Sequence, residues 1–312
     1  MRIIFMGTPD FAVTTLEALY QAGHEIVLAV TQPDKPRGRK GEPQFSDVKK
    51  WAVVHDIPVF QPDRIRKPEN IEELRKYPAD IMVVAAYGQI LPKEILDMPP
   101  YGCVNVHASL LPRYRGAAPI QWSILNGDKE TGVTTMQMGV GLDDGDILEQ
   151  RVVPIDPEET GGSLFDKLAI VGGQLIVQTL KDLEEGKVKA IPQDEEKATH
   201  VGMLKKSMGN LNWSRPASEL HNYVRGLNPW PSAYSYLNGK MVKIWKSSCL
   251  DGNKDAVPGT ILSLSDQGIE VAAGEGSLLL EEIQMEGKKR MDAKSFLLGH
   301  PLKVGELFTD ER

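Results

Sequence analysis

Cysteine is nearly absent from this sequence, because among its 312 residues only Cys103 and Cys249 occur. Two cysteines so far apart argue against a disulfide framework and against a zinc site, and they fit a reducing cytoplasm. Long apolar runs are also missing, since none approaches the roughly 20 residues that a membrane span needs. The short run after Arg2 stops at Gly7 and does not resemble a signal peptide. We therefore expect a cytoplasmic protein without a membrane segment.

The chain also lacks an excess of positive charge, since its formal charge is −7 at pH 7. This balance argues against indiscriminate binding to nucleic acids. The charge is unevenly spread, however: residues 203–312 hold 14 basic and 13 acidic side chains, and the remainder holds 22 and 30. Basic residues cluster at Lys35, Arg37, Arg39 and Lys40, at Lys240, Lys243 and Lys246, and at Lys288, Lys289 and Arg290. Any one cluster is typical of solvated surface, whereas several on one face could bind a polyanion.

The first part of the chain alternates between apolar runs and helical segments. The runs RIIFMG, EIVLAVT, DIMVVAA and CVNVHAS are nearly continuous in apolar residues, which is typical of strands covered on both faces. The alternation predicts an α/β domain with a mostly parallel, Rossmann-like sheet. The first helix is expected to have Thr8 as its N-cap and to end at Gly23. A long amphipathic helix over 162–186 is expected to close this domain.

The second part of the chain has a different character. Residues 190–208 are polar and weakly periodic, which is typical of a linker. Short strands separated by Gly and Asp follow, and Asn238-Gly239 between alternating residues predicts a hairpin turn. We therefore expect a domain at 1–189, a linker at 190–208, and a smaller OB-like β-barrel at 209–312.

Three polar side chains at two places could share one chemical task. Asn105 and His107 end a predicted strand on the same face, and Asp143 lies in the glycine-rich loop GVGLDDGDIL. An Asn amide and an imidazolium can stabilise an oxyanion, and a carboxylate can stabilise the imidazolium. Because no Ser or Cys occupies a nucleophile position, the set suggests direct attack by an amine on an acyl carbon.

The pattern alone leaves other interpretations open. A histidine in a strand is often a structural residue, and an acidic turn is often an ordinary loop. A metal site is disfavoured because one His with three close acids is not a recognisable ligand spacing. The glycine after the first strand is not part of a G-x-G-x-x-G fingerprint, so NAD is disfavoured as well.

The segment VNVHASLLPRYRGAAPIQ resembles the signature of the folate-dependent formyltransferases. In that family an Asn-x-His pair and a downstream Asp form the active site, and they match Asn105, His107 and Asp143. The resemblance implies a folate-binding wall made of Ser109, Leu110, Leu111, Pro112, Tyr87, Gly88, Gln89, Ile90 and Leu91. It covers the whole chain, including the C-terminal barrel.

The opening IIFMGTPDFA and the later NPWPSAY resemble the members of this family that act on methionyl-tRNA. The resemblance then implies transfer of the formyl group of 10-formyltetrahydrofolate to the α-amino group of initiator methionyl-tRNA, for translation initiation. It implies no metal and no obligate protein partner. The tRNA contacts that it implies are Arg37, Arg39, Lys40, Lys243, Lys246, Lys289 and Arg290. Residues 41–47 depart from the family pattern.

Two alternatives remain beside this hypothesis. The same core could transfer a formyl group to glycinamide ribonucleotide or to an amino sugar, which would leave the basic barrel and loop unexplained. The chain could also be a non-catalytic RNA-binding protein, which would leave the combination of Asn105, His107 and Asp143 unexplained.

Overall fold

The computed structural model describes residues 1–37, 42–252 and 255–311 of the chain. They form two compact units. The first unit contains Met1–Pro119, Glu130–Pro154 and Phe165–Val201, and the second contains Ile120–Lys129, Ile155–Leu164 and the chain from Gly202 onward. Residues 190–201, which were expected to belong to a linker, are part of the first unit. The domain limits drawn from the sequence stay predictions.

The chain up to residue 201 alternates between strands and helices. In chain order the elements are β1 (Arg2–Gly7), α1 (Asp10–Gln21), β2 (Glu25–Val30), β3 (Lys35–Arg37), β4 (Glu42–Gln44), α2 (Asp47–Val54), β5 (Val59–Phe60), α3 (Pro68–Arg75), β6 (Ile81–Ala85), α4 (Lys93–Leu96), β7 (Cys103–His107), β8 (Arg115–Gly116), α5 (Pro119–Leu125), β9 (Glu130–Gln137), β10 (Ile147–Pro154), α6 (Gly161–Glu184) and β11 (His200–Val201).

A seven-stranded sheet with the order β10-β9-β7-β6-β1-β2-β5 forms the centre of the first unit. The five strands from β7 to β5 are parallel, and the hairpin β9–β10 adds two antiparallel strands at one edge. The residues of β6 and β7 are buried throughout, as the continuous apolar runs require. The predicted mostly parallel, Rossmann-like sheet is therefore confirmed.

Helix α6 confirms the long amphipathic helix that the spacing predicts. Its residues Leu168, Ile176 and Leu180 are fully buried. The two glycines inside it allow close packing, because a Cβ atom on Gly172 would lie 3.0 Å from the Val106 side chain, and one on Gly173 would lie 3.0 Å from Ala18 Cβ.

The start of α1 differs from the prediction. The helix begins at Asp10, and its N-cap residue is Pro9, which offers no side-chain hydrogen bond. The predicted cap, Thr8, instead donates its hydroxyl to the carbonyl of Tyr87 at 3.3 Å. The prediction was wrong because a tertiary contact beyond β6 takes the hydroxyl that a local cap would use.

The second unit is built around a curled antiparallel sheet. Its elements are α7 (Ala217–Gly226), β12 (Ala233–Leu237), β13 (Lys240–Leu250), β14 (Ile261–Leu264), β15 (Ile269–Ala272), β16 (Ser277–Met285), β17 (Met291–Asp292), α8 (Ala293–Gly299) and β18 (Phe308–Thr309). The strand order is β14-β15-β16-β13-β12-β18, and β17 pairs with β16. The turn at Asn238-Gly239 joins β12 to β13 with φ angles of 51° and 73°, so the predicted hairpin is confirmed.

The two edges of this sheet meet. Residues 259–261, at the start of β14, form hydrogen bonds with residues 305–308, which lead into β18. One of these bonds joins the amide of Ile261 to the carbonyl of Glu306 at 2.8 Å. This seam closes the curled sheet into the barrel that the short strands predict. Of the helices described in either unit, none has the length and apolar character to cross a membrane.

Candidate active site

Asn105 and His107 lie at the carboxyl end of β7, inside the central sheet. β7 runs between β6 and β9, and its pairing places Asn105 between Val84 and Met136. The two residues are only 8% and 7% exposed. Because residues two apart on a strand share a face, both side chains are presented on one side of the sheet, at the strand end where ligands bind in such folds.

The imidazole of His107 is held between a carbonyl and a carboxylate. Its Nε2 atom lies 2.9 Å from the carbonyl oxygen of Tyr114. Since a carbonyl can only accept, Nε2 carries a hydrogen and donates it. The other nitrogen, Nδ1, faces Oδ2 of Asp143 at 3.7 Å. This separation is longer than a hydrogen bond, so the two groups form an ion pair when His107 is protonated.

The loop of residues 138–146, between β9 and β10, brings Asp143 to this position. Asp143 adopts the left-handed backbone conformation, with φ 51°. The amide of Gly116 donates to its Oδ2 at 2.8 Å. Close packing inside the loop requires Gly145, because a Cβ atom there would lie 1.8 Å from the carbonyl oxygen of Gln137. The glycines around the acids therefore serve to fold the loop tightly.

The amide of Asn105 is an available donor. Across residues 1–37, 42–252 and 255–311, no hydrogen-bond partner is found for this side chain. Buried polar groups are normally paired. A nearly buried amide that has no protein partner and keeps a little solvent contact can bond to a substrate without first breaking a bond within the protein.

The segment Ser109–Pro112, predicted to contact folate, forms a rigid wall next to β7. Ser109 donates its hydroxyl to the carbonyl of Arg113 at 2.6 Å, and its own carbonyl accepts from the Thr134 hydroxyl at 2.6 Å. The amide of Leu111 donates to Thr134, and its carbonyl accepts from Gln150 at 2.9 Å. The folate contacts of this segment stay predictions.

The segment 87–91, predicted to lie beside the pterin, has a mixed placement. Tyr87 and Leu91 are buried in an apolar cluster that also contains residues of β1, β2 and β6, whereas Ile90 is 71% exposed. Burial raises the pKa of Tyr87, so its phenol stays neutral, and no described residue bonds to its hydroxyl. The folate contacts of these residues stay predictions.

Gly88 and Gln89 shape the same segment. Gly88 has φ 85°, a conformation that favours glycine. Gln89 accepts a hydrogen bond from the amide of Ile65 at 2.8 Å and donates to the carbonyl of Pro62 at 3.2 Å. Its side chain therefore fastens the segment to the neighbouring loop.

Comparison with known proteins agrees with this arrangement. A sequence model described as formyl transferase matches residues 1–180, and a second model, formyl transferase C-terminal domain, matches residues 203–301. The chain belongs to the formyl transferase family. It is similar to proteins named methionyl-tRNA formyltransferase, such as that of Agathobacter rectalis, with 55% identity over 99% of this chain and 100% of the relative.

Solved structures share the fold of this formyl transferase. One is the N-formyltransferase of Helicobacter canadensis in complex with folinic acid and dTDP-3-aminofucose, with TM-score 0.67 and 18% identity over 93% of this chain and 99% of the other. Another is HypX of Aquifex aeolicus in complex with tetrahydrofolic acid, with TM-score 0.61 and 17% identity over 99% of this chain and 50% of the other.

The formyl transferase site also contains residues that sequence reasoning missed. Arg115 is only 3% exposed and donates to the side-chain oxygen of Gln193 and to the carboxylate of Glu195 at 2.7 Å. Gln193 in turn donates to the carbonyl of Asp143 at 2.8 Å. Arg115 is part of the quoted signature, but Gln193 and Glu195 lie in a polar, aperiodic segment that carries no local signal.

Two of the barrel cations predicted to bind tRNA are paired with acids in this formyl transferase. Lys246 lies 2.8 Å from the carboxylate of Glu281, and Arg290 pairs with Glu282. A phosphate group would have to compete with these carboxylates.

The other two barrel cations are placed differently. Lys289 is exposed, and Lys243 lies over the ring of Trp245 at 5.5 Å from its centroid. Arg290 contacts the same ring at 5.1 Å. The tRNA contacts of the barrel stay predictions.

The basic loop is described only in part. Arg37 ends strand β3, while Arg39 and Lys40 lie outside the described residues. At the base of the loop, Lys49 donates to the carboxylate of Asp34 at 2.5 Å. The tRNA contacts of the loop stay predictions.

Proposed function

We propose that this chain transfers the formyl group of 10-formyltetrahydrofolate to the α-amino group of methionine esterified to initiator tRNA, with tetrahydrofolate as the second product. The observation that carries the proposal is the pairing of His107 with Asp143 at 3.7 Å, at the same strand end as Asn105, whose amide has no hydrogen-bond partner among the described residues. The relatives named methionyl-tRNA formyltransferase support the acceptor. Structural neighbours that hold folinic acid or tetrahydrofolic acid support the donor.

The reaction begins with attack by the neutral amine on the formyl carbon. A new C–N bond forms, and the electron pair of the carbonyl moves onto its oxygen. The amide of Asn105 and the Nδ1–H of protonated His107 donate to this oxyanion. Donors of this kind act where negative charge develops, and removing one costs about 3–4 kcal/mol of transition-state stabilisation.

Proton movement completes the reaction without net gain or loss. The attacking nitrogen becomes cationic in the intermediate and must lose a proton, while the leaving folate nitrogen must gain one. Asp143 accepts the proton of the attacking nitrogen, His107 gives its Nδ1 proton to the folate nitrogen, and Asp143 then returns its proton to His107. The electron pair of the oxyanion re-forms the carbonyl as the old C–N bond breaks. Gly116 donates its amide to Asp143 Oδ2 and so holds the carboxylate in place for both steps.

The surroundings support direct attack without a covalent enzyme intermediate. The nearest thiol, Cys103, is fully buried two residues before Asn105, and burial raises its pKa to about 12. A thiol in that condition is not a nucleophile. The basic side chains Lys243 and Lys289 suit contact with the tRNA backbone, as the resemblance implies.

The experiment is a formylation assay with purified chain, 10-formyltetrahydrofolate and initiator methionyl-tRNA. Uncharged tRNA, glycinamide ribonucleotide and a nucleotide-linked amino sugar serve as alternative acceptors. We expect transfer to methionyl-tRNA alone. Transfer to either small amine instead would identify one of the rival formyl transfers, and normal tRNA binding without any transfer would support a non-catalytic RNA-binding protein.

A further inference from the structure

One short stretch, residues 193–201, holds the backbone beside both proposed catalytic side chains. It lies beyond helix α6 and contains β11, which pairs in parallel with β8. Gln193 reaches the loop that carries Asp143, and Thr199 reaches Tyr114, whose carbonyl orients His107. The sequence pattern predicted this stretch to be part of the linker at 190–208.

The side chain of Gln193 uses its full hydrogen-bonding capacity. Its Nε2 donates to the carbonyl of Asp143 at 2.8 Å and to the carbonyl of Gly145 at 2.7 Å. Its Oε1 accepts from Nε and Nη2 of Arg115 at 3.0 Å and 2.9 Å. Because an arginine can only donate and a carbonyl can only accept, the amide has a single possible orientation.

The two hydrogen bonds that Gln193 donates stabilise a backbone conformation that is unfavourable by itself. Asp143 has φ 51°, which costs a non-glycine residue about 1 kcal/mol or more. The two carbonyls that Gln193 binds flank the turn on both sides of residue 144. Without these two hydrogen bonds the loop loses support for this conformation, and we expect the carboxylate to shift relative to His107.

Thr199 supports the other partner. Its hydroxyl accepts the amide of Tyr114 at 2.8 Å, and its carbonyl accepts the amide of Arg115 at 2.8 Å. The carbonyl of Tyr114 is the group that receives the Nε2–H of His107. The Thr199 carbonyl thus holds the peptide whose oxygen orients the imidazole, and the Thr199 hydroxyl holds the preceding peptide at the amide of Tyr114. Tyr114 is therefore fixed on both sides of the carbonyl that His107 binds.

We propose that Gln193 and Thr199 are positioning residues for formyl transfer, Gln193 acting through Asp143 and Thr199 acting through His107. The proposal rests on the proposed function, because it takes His107 and Asp143 as the groups that touch the reacting atoms. It predicts that losing either support lowers the rate of the chemical step and leaves substrate binding nearly unchanged.

The test uses the full chain with Gln193→Leu, Gln193→Glu, Thr199→Val and Thr199→Ser. Gln193→Glu keeps the contact with Arg115 but faces two carbonyls with a carboxylate, and Thr199→Ser keeps the hydroxyl. The matched control is Gln178→Leu, which removes an exposed glutamine that donates to Asp182 on helix α6. Thr199 is exposed and Gln193 is half-buried, so these changes open no core cavity.

We expect kcat to fall about tenfold to a hundredfold in Gln193→Leu, Gln193→Glu and Thr199→Val, because a displacement of about 1 Å can cost that much. KM for both substrates and the melting temperature should stay near those of wild type. Thr199→Ser and Gln178→Leu should keep the wild-type rate. Wild-type kcat in Gln193→Glu and Thr199→Val, or a loss in KM alone, would overturn the proposal.

Single-turnover rates in double variants separate positioning from general damage. Gln193→Leu should cause no further loss in an Asp143→Ala background, and Thr199→Val should cause none in a His107→Ala background. Full multiplication of the losses contradicts the proposal. If Asp143→Ala and His107→Ala themselves keep the wild-type rate, the proposed mechanism fails instead. If those two are inactive while the Gln193 and Thr199 variants are unaffected, only the positioning inference fails.

Discussion

The Nδ1 atom of His107 and the Oδ2 atom of Asp143 lie 3.7 Å apart, and each residue is also bonded to a backbone group of one short segment. The carbonyl of Tyr114 receives the His107 Nε2–H, and the amide of Gly116 binds the Asp143 carboxylate. Two peptide groups separated by one residue therefore set the positions of both partners. Changes in this segment should disturb the pair as a whole.

Asp143→Asn keeps the shape of the side chain and an oxygen that can accept from Gly116, but it removes the negative charge. Because the imidazolium then loses its counter-ion and the proton its acceptor, we expect kcat to fall at least about a hundredfold. The KM for methionyl-tRNA should change little. Steady-state kinetics at constant pH measures both, and a kcat within twofold of wild type would rule out the assigned role. Asp144→Asn, one residue along the same loop, should keep normal activity.

Asn105→Leu removes the amide that has no hydrogen-bond partner in the described part of the chain. We expect kcat to fall roughly a hundredfold to a thousandfold because one oxyanion donor is lost. The melting temperature should not fall, since no hydrogen bond within the protein is broken. Parallel measurement of kcat and thermal unfolding tests the contrast. A clear loss of stability without a loss of rate would show that Asn105 is a structural residue.

Gly116→Ala should be strongly destabilising. Gly116 has φ 105°, and a Cβ atom there would lie 2.4 Å from the carbonyl oxygen of Val201. The matched control is Gly186→Ala, because Gly186 has φ 64° with no atom within 4 Å of its Cβ position. The control should lose about 1 kcal/mol of unfolding free energy from backbone strain alone, and Gly116→Ala clearly more. Equal losses in urea unfolding would contradict the close approach of β8 and β11.

Glu149→Gln should flatten the pH dependence of stability. Burial raises the pKa of Glu149 above its ordinary value of 4.5, and its hydrogen bond with Asp182 raises it further. The folded chain therefore holds this proton more tightly than the unfolded chain does. Stability falls as the pH rises from about 4.5 through the raised pKa, because the folded chain must then hold the half-buried Glu149 side chain in its ionised form.

We therefore expect Glu149→Gln to have a higher melting temperature than wild type at pH 7 to 8 and a smaller difference near pH 4. Thermal unfolding across this pH range measures the effect. Glu94→Gln, which changes an exposed glutamate on α4, provides the control and should follow the wild-type curve. If the melting temperatures of Glu149→Gln and of wild type change in parallel with pH, the pKa of Glu149 is not raised in the folded chain.

Lys289→Gln should weaken use of methionyl-tRNA without affecting the folate. Because Lys289 is exposed and has no acidic partner among the described residues, its charge is free to replace a counter-ion on a phosphate. We expect the slope of log KM for tRNA against log salt to decrease by about 1. Lys93→Gln, which changes a lysine of α4 that is paired with Asp97, should leave the slope unchanged. If the two variants have the same slope of log KM against log salt, Lys289 does not contact the tRNA.

Much of the fold could be predicted because its elements are local patterns. The strands β6 and β7 are continuous apolar runs, the long helix has buried residues at helical spacing, and the β12–β13 turn carries Asn238-Gly239. That His107 and Asp143 belong to one site was implied by the family resemblance, and the glycine-rich loop indicated a tight turn that could reach the histidine. The prediction of Thr8 as the N-cap of α1 was wrong because its hydroxyl bonds to the carbonyl of a residue far along the chain.

The residues that hold the proposed catalytic side chains in place could not be predicted, because they too act through contacts that are distant in sequence. Gln193 and Thr199 stand in a polar stretch without periodicity, and their hydrogen bonds go to residues more than 45 positions away. Such bonds leave no trace in local composition. The same holds for Arg115, whose burial depends on partners at 193 and 195.

The seam between residues 259–261 and 305–308 has a consequence for synthesis of the chain. The sheet of the second unit can close only after residue 308 has left the ribosome. Until then β14 keeps an open edge of unpaired peptide groups, the kind of surface on which aggregation begins. Newly made chains are thus exposed to this hazard for as long as the final strand is missing, and chaperone capture should be strongest in that interval.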